Sequence, residues 1–343
     1  MSKRVRLIGL LLLLLLAFLL DITSGAVQIP FREVFHILFS SGQDTTWQFI
    51  IEKIRVPKAC TAVLAGSALS VSGLQMQTLF RNPLADPSVL GITSGAGLGV
   101  AMVMLAGGGM ATLYAIKELG ISGSWLITIA GCTGAGAVML LVMALSGRLG
   151  DNVMVLIIGI MISSITISII SIWQYFSEPE LVKDFLLWTF GSLGGVTGNQ
   201  LFILSFVVGI GLIIAFLSSK MLDALLLGEN YARSMGLTPQ RARMIVIGST
   251  SLLAGSVTAF CGPIGFVGIA VPHITRSLFH TSNHRVLVPG CCVIGSVLML
   301  LCDVVSQLPG NRTILPINII TSLVGAPVVI SLLLRKNKIT LFG

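Results

Sequence analysis

Ten apolar runs, each close to the length that crosses a bilayer, constrain this chain more than any motif in it. The first passes from Leu7 to Leu20 without one charged or polar side chain, within a run at 5–25. The others lie near 59–80, 88–108, 124–146, 153–173, 200–219, 242–261, 263–279, 286–306 and 316–335. A spanning helix needs about 20 apolar residues, so a chain of 343 residues has room for about ten with short loops between them. Only 10 % of its residues are charged, where a soluble domain carries about 25 %. That excludes an ordinary cytosolic enzyme, a disordered protein and a secreted disulfide scaffold. The expected fold is all-α, a polytopic membrane protein of about ten transmembrane helices in one transmembrane domain over 1–343. The eighth run is short and holds Pro272. An irregular or broken helix is expected there, which is tolerated where protein or a water-filled cavity covers it.

Formal net charge is +8, from 21 Lys+Arg and 13 Asp+Glu. The cations are scattered among loops, with no basic patch interleaved with aromatics, so nucleic acid is not an expected partner. They set orientation instead. With ten spans both termini share one side. Placing them in the cytoplasm puts roughly two of every three cations inside, as cytoplasmic loops prefer. The expected topology is therefore N-in and C-in. It requires that the first run stay as a span. The alternative is a signal peptide, with Ser24-Gly25-Ala26 as a small-residue cleavage site.

No cluster of reactive side chains stands out. There is no G-x-x-x-x-G-K-[ST], no H-E-x-x-H and no G-x-S-x-G. The six cysteines lie in or beside apolar runs without a C-x-x-C pair, as buried thiols that behave like small hydrophobes. His280 and His284 have i,i+4 spacing but no evident third ligand. No metal, cofactor or enzyme activity is expected in the chain itself. Charges deep in the runs are almost absent; Asp21 and Asp303 fall near the outer ends of the first and ninth. A charge at mid-bilayer costs at least about 2.5 kcal/mol, which proton- and sodium-coupled carriers accept because the charge is their mechanism. A self-contained secondary transporter or channel is therefore the second reading, and a membrane-embedded enzyme the third. The fifth run carries Ser163, Ser164, Thr166 and Ser168. They either line a polar pathway or bond their own i−4 carbonyls.

Three connecting segments are long. The outer loop 26–58 is polar enough to hold a short surface helix. Segment 174–199 reads as a half-buried amphipathic helix from Leu181 to Phe190, then a flexible turn rich in glycine (Gly191, Gly194, Gly195, Gly198). Segment 220–241 faces the cytoplasm. It reads as two short helices joined near Gly228 and ending at Gly236, with Thr238-Pro239 opening the next element. A compact loop of this kind is a docking surface or an interfacial helix. Small residues recur at Ala65, Gly66, Ala68, Ser70, Ser72 and Gly73, and at Gly95, Gly97 and Gly99, which allows close helix packing.

Ordered blocks along the chain carry a resemblance. They are Arg55-Val56-Pro57-Lys58, Gly73-Leu74-Gln75-Met76-Gln77, Arg81-Asn82-Pro83-Leu84-Ala85-Asp86-Pro87 and Leu90-Gly91. Later come Leu227-Gly228-Glu229 with Ala232-Arg233 and Gly236, Gly262 to Gly268 with Pro272-His273-Ile274, His284-Arg285 with Pro289-Gly290, and Leu315-Pro316 with Gly325-Ala326-Pro327. Together they resemble the iron-chelate and cobalamin ABC importer permeases of the FecCD type, from about residue 50 onward. The resemblance implies a type II ABC importer permease fold in the bacterial cytoplasmic (inner) membrane. It implies a homodimer with a second copy of the chain, two ATPase subunits that hold ATP and Mg, and a periplasmic or lipid-anchored substrate-binding protein.

Residue by residue, the match gives Leu227, Gly228, Glu229, Ala232, Arg233 and Gly236 to coupling with the ATPase, within coupling helices at 220–241. Glu229 and Arg233, at i,i+4, either pair on their helix or reach the partner. Arg55 and Lys58 match docking positions for the binding protein. Gln307 stands where a third cation is usual, with Arg312 as its substitute, and Ile314 replaces a frequent acid. Asn82 and Leu84, with Asp151, Asn152 and Val153, match a cytoplasmic gate. Ser163, Ser164, Thr166 and Ser168 would line the pathway. The implied function is import of a metal chelate, with ferric siderophore first as the family's commonest substrate, then haem or cobalamin.

Overall fold

Prolines and short polar side chains open several helices, where the first N–H groups otherwise lack acceptors. In the computed structural model, which describes residues 3–25, 27, 29–39, 46–106, 123–146, 152–307 and 314–334, all regular structure is helical. The elements are α1 (Lys3–Thr23), α2 (Phe31–Phe39), α3 (Thr46–Leu79), α4 (Ile92–Ala106), α5 (Gly123–Ser146), α6 (Asn152–Phe176) and α7 (Pro179–Thr189). They continue as α8 (Gly198–Leu217), α9 (Ser219–Leu227), α10 (Glu229–Ser234), α11 (Pro239–Cys261), α12 (Val267–Phe279), α13 (His284–Ser306) and α14 (Ile317–Leu334). Pro179 and Pro239 each stand at the first position of their helix, where a missing N–H costs nothing. Asn283 caps α13 by accepting from Arg285 N at 2.9 Å.

A helix occupies each of the ten predicted runs. Among the described residues, seven helices are long and apolar enough to cross a membrane, and Ile92–Ala106 and Ile317–Ser331 are shorter apolar helices. At the centre stands α3, in which every residue from Ala65 to Leu79 is buried. Packed against it are α8, α11, α12 and α13; α1 covers α13, and α5 joins α11 to α4.

Small and amide side chains explain why α3 can be enclosed on all sides. A Cβ on Gly73 would lie 2.0 Å from the carbonyl oxygen of Gly268, so the two backbones touch. Two residues on, Gln75 Nε2 donates to Ser249 at 3.1 Å, while Thr250 donates to Gln75 Oε1 at 3.0 Å. Pro272 cannot donate to the carbonyl one turn before it, that of Gly268. Gln77 Nε2 fills that need, donating to the oxygens of Gly268 and Ile269 at 3.2 Å each, while its Oε1 accepts from Arg276 at 2.7 Å.

Three sequence expectations change here. The eighth run is not broken at Pro272; α12 continues through it, and the irregular backbone is Gly262–Phe266, with Phe266 at φ +68°. Most of 46–58 is not loop. It extends α3 outward through a π-helical turn at Ile50–Arg55, where Val56 N–H bonds the oxygen of Ile51 ahead of Pro57. The glycine-rich turn after α7 is tied down: Ser192 N donates to Cys261 O at 2.7 Å, Asn318 N donates to Phe190 O at 3.2 Å, and Leu193 and Val196 are buried. The surface helix expected within 26–58 is α2.

Candidate functional site

The segment Ser219–Ser234 folds as the sequence anticipates. Gly228, at φ +121°, turns the chain between α9 and α10, and a Cβ there would meet the Arg81 guanidinium at 2.8 Å. Arg81 donates to Leu225 O at 3.2 Å through both Nε and a terminal nitrogen, tying the end of α3 to the end of α9. Gly236 closes α10 at φ +80°, with Leu237 N bonded to Ala232 O and Gly236 N to Arg233 O, both at 3.0 Å. This is the Schellman arrangement that favours glycine.

The segment has two faces. Leu222, Leu225 and Ala232 are buried in a cluster with Ala242, Val246 and Ile247 of α11. Leu227, Tyr231 and Met235 are instead exposed, at 65 %, 48 % and 60 %. These three side chains point away from the cluster that anchors the segment.

Glu229 joins two arginines unequally. Arg243 of α11 lies 3.0 Å away and is 2 % exposed, whereas Arg233 lies 3.9 Å away and is 57 % exposed. The i,i+4 pair is present, and the stronger partner is one the sequence reading missed. A signal existed: Arg243 sits near the N-terminus of α11, where a cation opposes the helix dipole and needs an acid nearby. Glu229→Ala should therefore cost about 2 kcal/mol or more, because it leaves a buried guanidinium short of its carboxylate. Arg233→Ala should cost less than about 1 kcal/mol. Thermal unfolding of the purified variants checks the order, and equal losses would remove this ranking.

Around the same end, Val153 at the start of α6, Leu79–Arg81 and Leu227–Tyr231 line one cavity of about 490 Å³. This brings Val153, one of the expected gate residues, against the α9–α10 segment. Asn82 Oδ1 accepts from Leu84 N at 3.0 Å in a local turn, and His273 Nε2 lies 2.9 Å from Pro83 O. Asn152 opens α6, and Asp151 and Arg312 lie outside the described residues. Asp223 on α9, which sequence reasoning passed over, faces inward and ties this segment to His284 of α13. Burial works to raise its carboxyl, but hydrogen bonds from the His284 ring and backbone, with Arg285 nearby, hold it below the usual range.

On α6 the hydroxyls bond their own helix. Ser163, Ser164 and Ser168 donate to Gly159, Ile160 and Ser164 oxygens at 3.0, 3.0 and 2.9 Å. Ser164 and Ser168 are exposed, Ser163 is half-buried beside Gly91, and Thr166 is buried. The exposed face also carries Ile157, Ile160, Met161, Ile165 and Ile172.

At the opposite end, Arg55 and Lys58 have partners within the chain. Arg55 is 7 % exposed and donates to the oxygens of Ile22, at 2.8 Å, Thr23, at 3.1 Å, and Val27. Lys58 Nζ lies 2.9 Å from Asp303 Oδ2, with side-chain exposures of 12 % and 2 %. Gln307 Nε2 donates to that same oxygen at 2.9 Å and to Asp21 Oδ1 at 3.3 Å. In this conformation, then, Arg55 binds the carbonyls at the end of α1 and just beyond it, and Lys58 a buried acid; neither stands free on the surface. Gln307, noted in the sequence only as a departure, is the bridge between two buried carboxyl groups.

The FecCD transport family matches residues 13–335. The vitamin B12 import system permease protein BtuC of Klebsiella pneumoniae subsp. pneumoniae is 35 % identical over 331 residues, covering 96 % of this chain and 94 % of that protein. BtuC of Salmonella typhimurium is 34 % identical over 332 residues, covering 97 % and 95 %. A solved structure described as an inward-facing conformation of a metal-chelate type ABC transporter superimposes with a TM-score of 0.82 at 27 % identity, over 96 % of this chain and 98 % of that one.

Proposed function

This chain belongs to the FecCD transport family, and from that premise we propose that it carries a metal chelate into the cytoplasm as the membrane subunit of an ATP-driven importer. It is a permease of the metal-chelate and cobalamin type. The rest is our reading. Two copies of the chain pair with their α6 helices facing a central pathway, with Ser164 and Ser168 along it and Ser163 at its edge; Thr166, expected there from the sequence, is buried within its own chain and does not line it. Two ATPase subunits dock on the α9–α10 surface through Leu227, Glu229 and Arg233, with Gly228 and Gly236 shaping its turns and Ala232, buried against α11, holding it from behind rather than touching the partner; a binding protein delivers the chelate from the other side. Asn82, Leu84, Asp151, Asn152 and Val153 form the gate on the ATPase side. About ten helices span, with both termini in the cytoplasm.

The geometric observation that supports this reading is the two-faced α9–α10 segment. It is fixed from behind by Arg81, Arg243 and the apolar cluster, and it offers Leu227, Tyr231, Arg233 and Met235 outward. A pathway wall of neutral, self-bonded hydroxyls and aliphatic residues suits a bulky ligand that is passed on rather than held.

Affinity purification of the tagged chain from gently solubilised membranes, with mass spectrometry of what accompanies it, tests the assembly. A stoichiometric P-loop ATPase is expected. Its repeated absence, with the purified chain alone moving solute in liposomes, would establish a secondary carrier instead. Uptake by the recovered complex is then compared for cobalamin, ferric siderophore and haem. Cobalamin comes first because the relatives reported above are vitamin B12 permeases.

A further inference from the structure

One tie between the α9–α10 segment and the spanning helices reaches two of them at once. Asp223 of α9 uses a single oxygen, Oδ1, to accept the backbone N–H of His284 at 2.9 Å and to meet its ring Nδ1 at 2.6 Å. His284 opens α13 and is 1 % exposed. Its Nε2 lies 2.8 Å from Oγ1 of Thr78, which is buried in the last turn of α3 and also bonds Leu74 O at 2.9 Å. An ionised carboxylate only accepts, so Nδ1 carries a proton; the single proton of the Thr78 hydroxyl goes either to Nε2 or to Leu74 O, and in the second case the hydroxyl accepts from Nε2. The chain of bonds thus runs from α9 through the first residue of α13 into the end of α3.

Helix capping does not require this arrangement, because Asn283 already caps α13. The same two helices are joined again near the C-terminus of α13, where Lys58 of α3 meets Asp303 at 2.9 Å. Helices α3 and α13 are therefore pinned to each other near both ends of α13, and Asp223 grips the pair at one of them. Charge-assisted bonds of this length are the stronger and more directional kind. Among the charged groups facing His284 are Asp223 from α9 and Arg276 from α12.

Resting on the reading of α9–α10 as the ATPase contact, we propose that Asp223, His284 and Thr78 form a coupling relay, in which Asp223 and His284 are positioning residues that convey displacement of α9 into the α3–α13 pair. The relay gives motion at the ATPase face a path to the opposite face without any group crossing the bilayer.

The test uses the whole complex in liposomes and reads the factor by which the binding protein stimulates ATP hydrolysis. In Asp223→Ala and His284→Ala, ATPase recovery and unstimulated hydrolysis should stay within twofold of wild type, while stimulation falls at least tenfold. Residues acting as one unit are non-additive, so the double variant should be no worse than either single one. Asp223→Asn, which keeps an acceptor oxygen in place, should recover most of the stimulation. If His284→Ala does not assemble, the Asp223 pair carries the test alone, since that side chain is 36 % exposed. Wild-type stimulation in Asp223→Ala, or losses that multiply in the double variant, overturn the relay. So does loss of the ATPase from Asp223→Ala, because Asp223 would then be part of the docking surface. A wild-type complex that fails to assemble or to respond refutes the importer reading instead.

Discussion

Replacing Gly73 by alanine is expected to cost about 3 kcal/mol or more and to remove most of the folded protein from the membrane fraction. The added methyl carbon would lie 2.0 Å from Gly268 O and 2.5 Å from Gly268 C and Cα. All three atoms are backbone, so no side chain can turn aside. Only a parting of α3 from α12 relieves the contact. Parting them also lengthens the bonds from Gln77 to Gly268 and Ile269, the first of which serves the carbonyl that Pro272 leaves without its helical donor. Loss of close packing and loss of buried hydrogen bonds therefore arrive together. Gly248→Ala is the matched control: nothing lies within 4 Å of a Cβ there, and alanine in a helix interior is favoured over glycine by about 0.5–1 kcal/mol. Thermal unfolding in detergent, followed by size-exclusion chromatography, should place the two variants on opposite sides of wild type. A Gly73→Ala protein as stable as Gly248→Ala would mean that the α3–α12 approach is not the constraint described here.

That contact shows how far the sequence could be read. Run lengths located the helices because a bilayer enforces one length and leaves backbone groups no partner outside the helix. The spacing of Gly66, Ser70 and Gly73 announced close packing, but spacing cannot say which helix approaches; Gly268 is nearly two hundred positions away. The α9–α10 segment was legible for a local reason. Gly228, Gly236 and Thr238-Pro239 fix its turns through their own backbone requirements. Its anchors were not legible, because Arg81 reaches it from the turn after α3, Asp223 from its own inner face and Arg243 from α11. Arg55 and Lys58 were the hardest case. A cation beside a span reads as a surface charge, and only the tertiary fold shows that one grips the end of α1 and the other a buried acid.

Replacing Lys58 by methionine should be the more damaging change at the opposite end, at about 3–5 kcal/mol, because breaking a buried pair leaves a charge without its partner. The site makes the loss severe. Asp303 and Asp21 are 2 % and 3 % exposed, and Gln307 bonds both. Lys58 is the ammonium that meets Asp303, and without it two carboxyl groups stay packed together at the ends of α1 and α13. Lys58→Glu should be worse still, since it adds a third. Replacing both members of a buried pair by neutral groups of similar size is often nearly neutral, so Lys58→Met with Asp303→Asn should return to within about 1 kcal/mol of wild type. Recovery separates two roles that a single charge reversal confounds. A residue that only docks the binding protein gains nothing from a change at Asp303, and Lys58→Met alone would then unfold like wild type. If the double variant is stable but binds the binding protein more weakly, with a deficit that shrinks at high salt, Lys58 serves the interface as well. If it is stable and binds as wild type does, its charge belongs to the α3–α13 clamp, and docking rests on other groups of that surface.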